Sequence, residues 1–224
     1  MSFRDSHKAL YFVGQKGIYV PRSTLYNQLR TVWQMSSNPG NVVTDPINGY
    51  NLTGVTTLGS TTPIHGSYMT PTGSPSSCST DLVQSSCTIS LWVYPTAVPT
   101  SGSSYQIALW LDSANVLYFG GGSTSNKQNL GLLANGTHVP GTKPLTLSAW
   151  NNVILTFGSG TIQTFVNGAL DINTAQTFPS GGTFQFGGTN VSYLIPGNMD
   201  ECYSWSRVLT GTEIAQLQTA FYPF

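Results

Sequence analysis

Charge is what this sequence has least of. Only 7% of its 224 residues are Asp, Glu, Lys or Arg, against about 25% in an average soluble domain, and Ser, Thr, Asn and Gly stand where charges would. The surface is therefore expected to be polar but nearly uncharged, a composition common among exposed, durable structural proteins. The acidic residues are Asp5, Asp45, Asp81, Asp112, Asp171, Asp200, Glu201 and Glu213. No two have the i, i+2 or i, i+4 spacing that sets a carboxylate pair on one face, and the adjacent Asp200 and Glu201 point to opposite faces of a strand. His7, His65 and His138 are scattered without ligand spacing. There is no G-x-S-x-G elbow, and no phosphate-binding glycine loop precedes a helix. Nucleophilic and metal-centred catalysis thus have no motif here.

Long apolar runs are missing too. None approaches the eighteen residues of a membrane span, and MSFRDSHKAL at the N-terminus is followed by no apolar stretch of seven or more, so no signal peptide is read there. Export by the usual route is not expected, and the sequons at Asn51, Asn135 and Asn190 lose their meaning with it. Three cysteines allow at most one intrachain disulfide. Cys78 and Cys87 are close enough to bridge a loop, but Cys87 and Cys202 sit in apolar strand patterns, where a free buried thiol is the expected state.

The few charges are unevenly placed. Arg4, Lys8, Lys16, Arg22 and Arg30 lie within the first thirty residues beside Asp5 alone, so that segment is +4 and residues 31 to 224 are −4. A basic arm on a mildly acidic body suggests docking on something acidic or simple solvation. The arm is also rich in Leu, Tyr, Phe and Val, and ALYFVGQKGIYVP, residues 9 to 21, has two apolar runs around a four-residue loop, a β-hairpin signal. Five spread charges are too few for a nucleic-acid binder.

What remains is a succession of short strands. Residues 56 to 86 form a long Ser/Thr/Gly/Pro-rich loop with one short strand around Tyr68. CTISLWVY, Cys87 to Tyr94, alternates strictly, with Cys87, Ile89, Leu91 and Val93 on one face and Thr88, Ser90, Trp92 and Tyr94 on the other. A Trp on the more polar face implies a central strand covered on both sides. QIALWLD and NVLYFGG read as a strand pair, Gly120 to Asn129 as a loop, and Asn167-Gly168 as a type I′ hairpin turn. Thr210 and Glu213 have the spacing of a capping box. The helix they open, of about ten residues, carries Ile214, Leu217 and Ala220 on one stripe.

In their order, these blocks resemble a family. GNMDECYSWSRVL with the capped helix behind it is similar to the closing motif of laminin-G-like, concanavalin A-type jelly rolls, with Met199, Asp200, Glu201, Cys202, Arg207, Leu209 and Ile214 at the motif positions. TVWQMSSNPGNVVTD, NGYNLTG, CTISLWVYP, SAWNNVILTF and TIQTFVNGAL resemble its earlier strands. The likeness covers roughly residues 29 to 224 and implies an all-β concanavalin A-like jelly-roll β-sandwich with a short C-terminal helix, preceded by a basic hairpin arm over residues 1 to 28.

The resemblance also implies candidate sites. Family members often hold a structural Ca²⁺ between the early Asp turn and the closing Asp, which maps to Asp45, Asn48 and Asp200, with Asn51 as a further oxygen donor. Glycoside hydrolases share the fold, but their paired carboxylates are not matched here. Trp33, Trp92 and Trp150 match the family's core positions, whereas Tyr105, Trp110 and Tyr118 lie near loops in the variable part of the fold and are the sugar-binding candidates. Two functional classes follow. One is a non-enzymatic structural protein of a virion or surface assembly, such as a phage decoration or fibre protein. It would sit at the virion surface as a homo-oligomer and join its partner proteins through the arm. The other is a carbohydrate-binding adhesin module that takes cell-surface glycans. Neither involves nucleic acid or membrane.

Overall fold

The computed structural model describes residues 24–35, 42–53, 58–59, 68–70, 76–78, 85–98, 106–120, 127–178, 185–186 and 195–219. The chain opens with a 3₁₀ turn, Thr24–Tyr26. Sixteen strands follow: β1 Leu29–Trp33, β2 Val42–Val43, β3 Leu52–Thr53, β4 Leu58–Gly59, β5 Tyr68–Met69, β6 Ser76–Cys78, β7 Cys87–Pro95, β8 Gln106–Asp112, β9 Asn115–Phe119, β10 Asn129–Ala134, β11 Thr137–Pro144, β12 Asn151–Gly158, β13 Thr161–Val166, β14 Ala169–Thr174, β15 Gln185–Phe186 and β16 Gly197–Trp205. One helix, α1 Gly211–Thr219, closes the described chain. The hairpin read at residues 9 to 21 and the basic residues Arg4, Lys8, Lys16 and Arg22 lie outside the described residues.

The strands form two antiparallel sheets. The first runs β14-β13-β12-β7-β16-β5-β4, and the second β11-β10-β9-β8-β15-β6-β3-β2. β1 and β5 share one edge of β16, β1 along Cys202–Trp205 and β5 at Met199. This is the jelly-roll β-sandwich the sequence implied. Short two-residue turns drive the hairpins. Asn167-Gly168 takes φ of +47° and +77°, and the same left-handed pair recurs at Asn135-Gly136 and Ser159-Gly160. In such a turn both central residues need positive φ, and its twist matches the strands it joins.

β7 is central, flanked by β12 and β16. Its Cys87, Ile89, Leu91 and Val93 point between the sheets, where they join Leu117 and Phe119 of β9, Leu130 and Leu132 of β10, and Trp33. The opposite face is covered as well. There Ile154, Tyr203 and Trp205 pack beneath Leu209, Ile214 and Leu217, with Leu25 alongside. Thr88 and Ser90 are buried under this second layer, and each is satisfied: Thr88 Oγ1 donates to Arg207 O at 2.8 Å and accepts from Leu209 N at 3.0 Å, and Asn152 Nδ2 donates to Ser90 Oγ at 3.1 Å.

The body takes in more of the chain's start than expected. Trp205 Nε1 donates to Leu25 O at 2.6 Å, and Arg207 reaches the carbonyls of Asn27 and Thr24 at 2.8 and 3.0 Å. Residues 24 to 28, grouped above with the arm, are thus bonded to the closing motif. Arg30 is likewise a body residue: it sits in β1 with its guanidinium 5.2 Å from the centre of the Tyr50 ring. Cys87 and Cys202 are free and buried, so Cys87 closes no loop with Cys78. Burial pushes the Cys87 thiol up to about 12. Among the described residues no helix is long and apolar enough to cross a membrane.

Candidate functional site

The turn expected to hold calcium is filled by amides instead. Asp45 is buried, and its Oδ1 accepts from Val32 N and Ile47 N at 3.0 and 3.1 Å, while Oδ2 accepts from Asn48 N and Tyr50 N at 3.0 and 3.1 Å. Asn51 Oδ1 takes the Asp45 N–H at 3.1 Å, and Asn48 spends its Nδ2 on Arg30 O at 2.6 Å. A Ca²⁺ ion needs six to eight oxygens with lone pairs to give, yet each Asp45 oxygen already accepts two N–H groups. Asp200, wholly buried in β16, accepts from Glu201 N at 2.8 Å. Asp45, Asn48 and Asp200 therefore do not fit as a calcium set. Among the described residues no group of three or more His, Cys, Asp or Glu is placed to hold a metal.

The other described carboxylates are also engaged. Asp112 caps its own turn through Ala114 N and Asn115 Nδ2, Asp171 of β14 accepts the Thr142 and Lys143 amides of β11 at 2.6 and 2.7 Å, and Glu213 pairs with Arg207. Asp200 and Glu201 lie together at a bulge in β16, where Glu201 adopts φ +47°. Both are wholly buried, and the Tyr203 hydroxyl donates to Glu201 Oε2. Burial, then the neighbouring Asp200 charge, raises the Glu201 carboxyl to about 8. The two do not line an open cleft.

Of the aromatic residues expected to bind sugar, Tyr118 is the one whose side chain the structure describes. Tyr105 lies outside the described residues, and Trp110 occupies β8 opposite Val116 and Gln185. Tyr118 is in β9 but is fully buried. The reason is Gly131, its cross-strand partner: a Cβ there would stand 2.3 Å from the tyrosine ring, so the missing side chain is the slot the ring occupies. His138 closes the slot, edge-on with centroids 5.7 Å apart and Nδ1 3.1 Å from the Tyr118 hydroxyl.

A different aromatic group is partly open. The alternation of β7 carries Tyr94 to the outer face of the first sheet, at the end away from the β12–β13 turn. Asn198 of β16 is directly opposite Tyr94, and its Oδ1 accepts from Thr70 Oγ1 at 2.9 Å. Trp150, just before β12, lies edge-on to Tyr94 with centroids 5.4 Å apart and tilted against Tyr68 of β5 at 6.4 Å. Tyr68, Tyr94, Trp150, Asn198 and Thr70 are all half-buried. The Tyr68 and Tyr94 hydroxyls and Asn198 Nδ2 make no hydrogen bond among the described residues, so this group combines apolar ring surface with polar atoms.

Its frame is rigid. Asn151 pins the loop that presents Trp150: Oδ1 accepts from Thr146 N at 2.9 Å, and Nδ2 donates to Thr146 O and Ala149 O at 2.9 and 2.8 Å. Ser148 N donates to Pro95 O, and Thr96 N to Pro196 O, at 2.8 and 2.7 Å. Gly197 lets β16 press against β7, since a Cβ there would stand 1.9 Å from Tyr94 O. Sequence reading placed Trp150 in the core by family position. The signal that would have found it is alternation: Val153, Leu155 and Phe157 point inward, which sends Asn152 and Trp150 outward. Trp33 and Trp92 are buried as expected. At the opposite end of β12, a cavity of about 130 Å³ is lined by Ser85, Phe157, Gln176 and Phe178 among others, too small for more than a fragment of a typical ligand.

The chain belongs to the concanavalin A-like lectin/glucanases superfamily, whose laminin-G-like sequence profile matches residues 70–215. No curated protein matches it in sequence. Among solved structures it is similar to the sialidase of Trypanosoma rangeli, at 16% identity and a TM-score of 0.66, over 85% of this chain and 33% of that one. It is also similar to domain 4 of an extracellular arabinanase from Geobacillus stearothermophilus, solved with arabinotriose, at 14% identity and a TM-score of 0.64, over 85% and 98%. A third is botulinum neurotoxin type C, whose cell entry is described as dependent on two ganglioside molecules, at 15% identity and a TM-score of 0.60, over 89% and 52%. The chain thus spans about a third of the sialidase and nearly all of the arabinanase domain. At these identities the likeness is one of fold.

Proposed function

We propose that this chain is a non-catalytic carbohydrate-binding module, and that the outer-face group of Trp150, Tyr94, Tyr68, Asn198 and Thr70 is its sugar platform. The observation that carries the reading is the coincidence of half-buried rings with hydroxyl and amide groups that make no hydrogen bond among the described residues, on a braced rim. Ligand sites are apolar and aromatic surfaces with a few well-placed polar groups, and a pyranose presents that complement, with C–H faces for the rings and hydroxyls for Asn198 and the phenols. Neighbours of the same fold include an arabinanase domain solved with an arabinose trisaccharide, which supports the ligand class. The non-catalytic part rests on the six described carboxylates, each held by amide, hydroxyl or guanidinium partners. Display on a virion or surface assembly is the setting we propose for such a module, on the low charge content and the basic first thirty residues.

The test is a glycan array with wild type, Trp150→Ala and Asn198→Ala, followed by calorimetry on the hits. Loss of at least tenfold in affinity in both variants, with unchanged thermal midpoints, is the expected result. Retention of the wild-type binding pattern in Trp150→Ala would sink the proposal.

A further inference from the structure

Resting on the platform reading, we infer that the glycan taken here is neutral, and that sialylated, sulfated or uronic-acid-bearing chains are disfavoured. The reasoning begins with where the cations are. Between residues 31 and 206 the sequence holds two basic residues, Lys127 and Lys143. Lys127 lies in the turn before β10, and Lys143 is in β11, an edge strand of the second sheet, where Asp171 of β14 accepts its amide. The platform belongs to the first sheet, on β5, β7, β16 and the start of β12. Every segment adjoining it in sequence, from residue 54 to 84, 96 to 105, 144 to 150 and 187 to 196, lacks Lys and Arg altogether.

Arg4, Lys8, Lys16 and Arg22 lie outside the described residues; the described cations that flank the first sheet elsewhere, Arg207 and Arg30, are committed. Arg207 gives two donors to Glu213 and two more to the Asn27 and Thr24 carbonyls, and Arg30 in β1 lies over Tyr50. An anionic sugar is held by guanidinium or ammonium groups through charge-assisted bonds, and among the described residues the platform offers none. It would instead meet a body whose formal charge over residues 31 to 224 is −4, with Asp200 buried in the same strand as Asn198. What the platform does offer, the rings of Trp150, Tyr94 and Tyr68, the Asn198 amide and phenol hydroxyls, matches C–H faces and neutral hydroxyls. The sialic-acid and ganglioside chemistry named for two structural neighbours is therefore not carried over to this chain.

The experiment uses the full chain and matched probes that differ only in charge: N-acetyllactosamine, its sialylated and its sulfated forms, and a panel of neutral tri- and tetrasaccharides including arabinotriose, each titrated at 20 and 500 mM NaCl. The expected result is binding of neutral members, weakened at least tenfold by Trp150→Ala and by Asn198→Ala and unchanged by salt. Adding a sialic acid or sulfate to a bound core lowers its affinity. Thr70→Lys, which places an ammonium beside Asn198, recovers the anionic form and makes that binding salt-sensitive. If an anionic member binds wild type more tightly than its neutral core, weakens in high salt and is lost in Trp150→Ala, the neutral selectivity is overturned while the platform stands. If no probe, neutral or anionic, shows binding that depends on Trp150 or Asn198, the platform reading is overturned and the inference falls with it.

Discussion

Arg207 and Glu213 meet side by side, Nη1 to Oε2 at 2.7 Å and Nη2 to Oε1 at 2.6 Å, across the start of α1. The same carboxylate takes the Thr210 N–H at 2.9 Å, and Thr210 Oγ1 accepts from Glu213 N at 3.3 Å, which completes the capping box. One residue thus caps the helix and fixes the guanidinium that reaches back to Thr24 and Asn27. The pair is largely shielded, at 17% and 7% side-chain exposure. The Arg207 hydrogen bonds, ahead of those from Thr210, draw the Glu213 carboxyl down from 4.5 to about 2. Its stabilisation is present in full above pH 4.5 and disappears as pH falls through 2. Arg207→Met leaves Glu213 buried beside no cation among the described residues and frees two carbonyls, so it is expected to cost about 3 kcal/mol in urea unfolding at pH 7. The difference between variant and wild type should shrink below pH 4, and a difference that holds constant down to pH 2 would contradict this account.

Glu201 shifts the other way. Its carboxyl is raised from 4.5 to about 8 by burial and by Asp200. Below pH 4.5 folded and unfolded chains both keep the proton. Between 4.5 and 8 only the unfolded chain gives it up, so stability falls as pH rises, by at most about 1.4 kcal/mol per unit, and the fall ends above 8. Glu213 is ionised in both states across this window and adds no slope. Thermal midpoints from pH 5 to 8 are expected to decline in wild type and to decline less in Glu201→Gln, which keeps an acceptor for the Tyr203 hydroxyl. Equal slopes in the two proteins would remove Glu201 as the source.

The closing motif was the most legible part of the chain because its chemistry is local. A hydroxyl and a carboxylate three residues apart specify a helix start in any fold, and Asn-Gly specifies its hairpin turn. Two of the three turns of that kind are harder to read: Asn135-Gly136 doubles as a sequon, and Ser159-Gly160 lacks the Asn that advertises positive φ. The candidate platform was not legible at all. Its members, Tyr68, Tyr94, Trp150 and Asn198, come from four stretches up to 130 residues apart, and only strand register sets Asn198 opposite Tyr94. Tyr118 misled for the converse reason. An aromatic near a Gly-rich loop looks exposed, but Gly131 across the sheet takes it in.

That pairing predicts a sharp response to a small change. Gly131→Ala would put a methyl group 2.3 Å from the Tyr118 ring, which is held in turn by His138, so the ring must leave its slot. A loss of about 1–3 kcal/mol is expected, measured by urea unfolding. Tyr118→Phe keeps the ring in its slot while removing the hydroxyl that meets His138, and should leave glycan binding unchanged. Loss of binding in Tyr118→Phe would return that residue to the site.

The last expectation concerns the turn at Asp45. Four backbone N–H groups, from Val32, Ile47, Asn48 and Tyr50, converge on its two oxygens, so the carboxylate does for β1 and the following turn what an ion between them would do. Asp45→Asn keeps the shape but replaces one acceptor oxygen with an NH₂ group, setting its hydrogens against two amide hydrogens in a buried site. The variant should lose about 3 kcal/mol, the range for hydrogen bonds to a charged group left unmade. An ion bound only to the folded state would add RT ln(1 + [L]/Kd), about 2.7 kcal/mol at a hundredfold excess, and would raise the wild-type midpoint in Ca²⁺. Because the amides occupy the lone pairs, wild type is expected to unfold at the same temperature in EDTA and in millimolar Ca²⁺. A rise in Ca²⁺ that vanishes in Asp45→Asn would mean that the amides yield to the metal, and the turn would then be a calcium site after all.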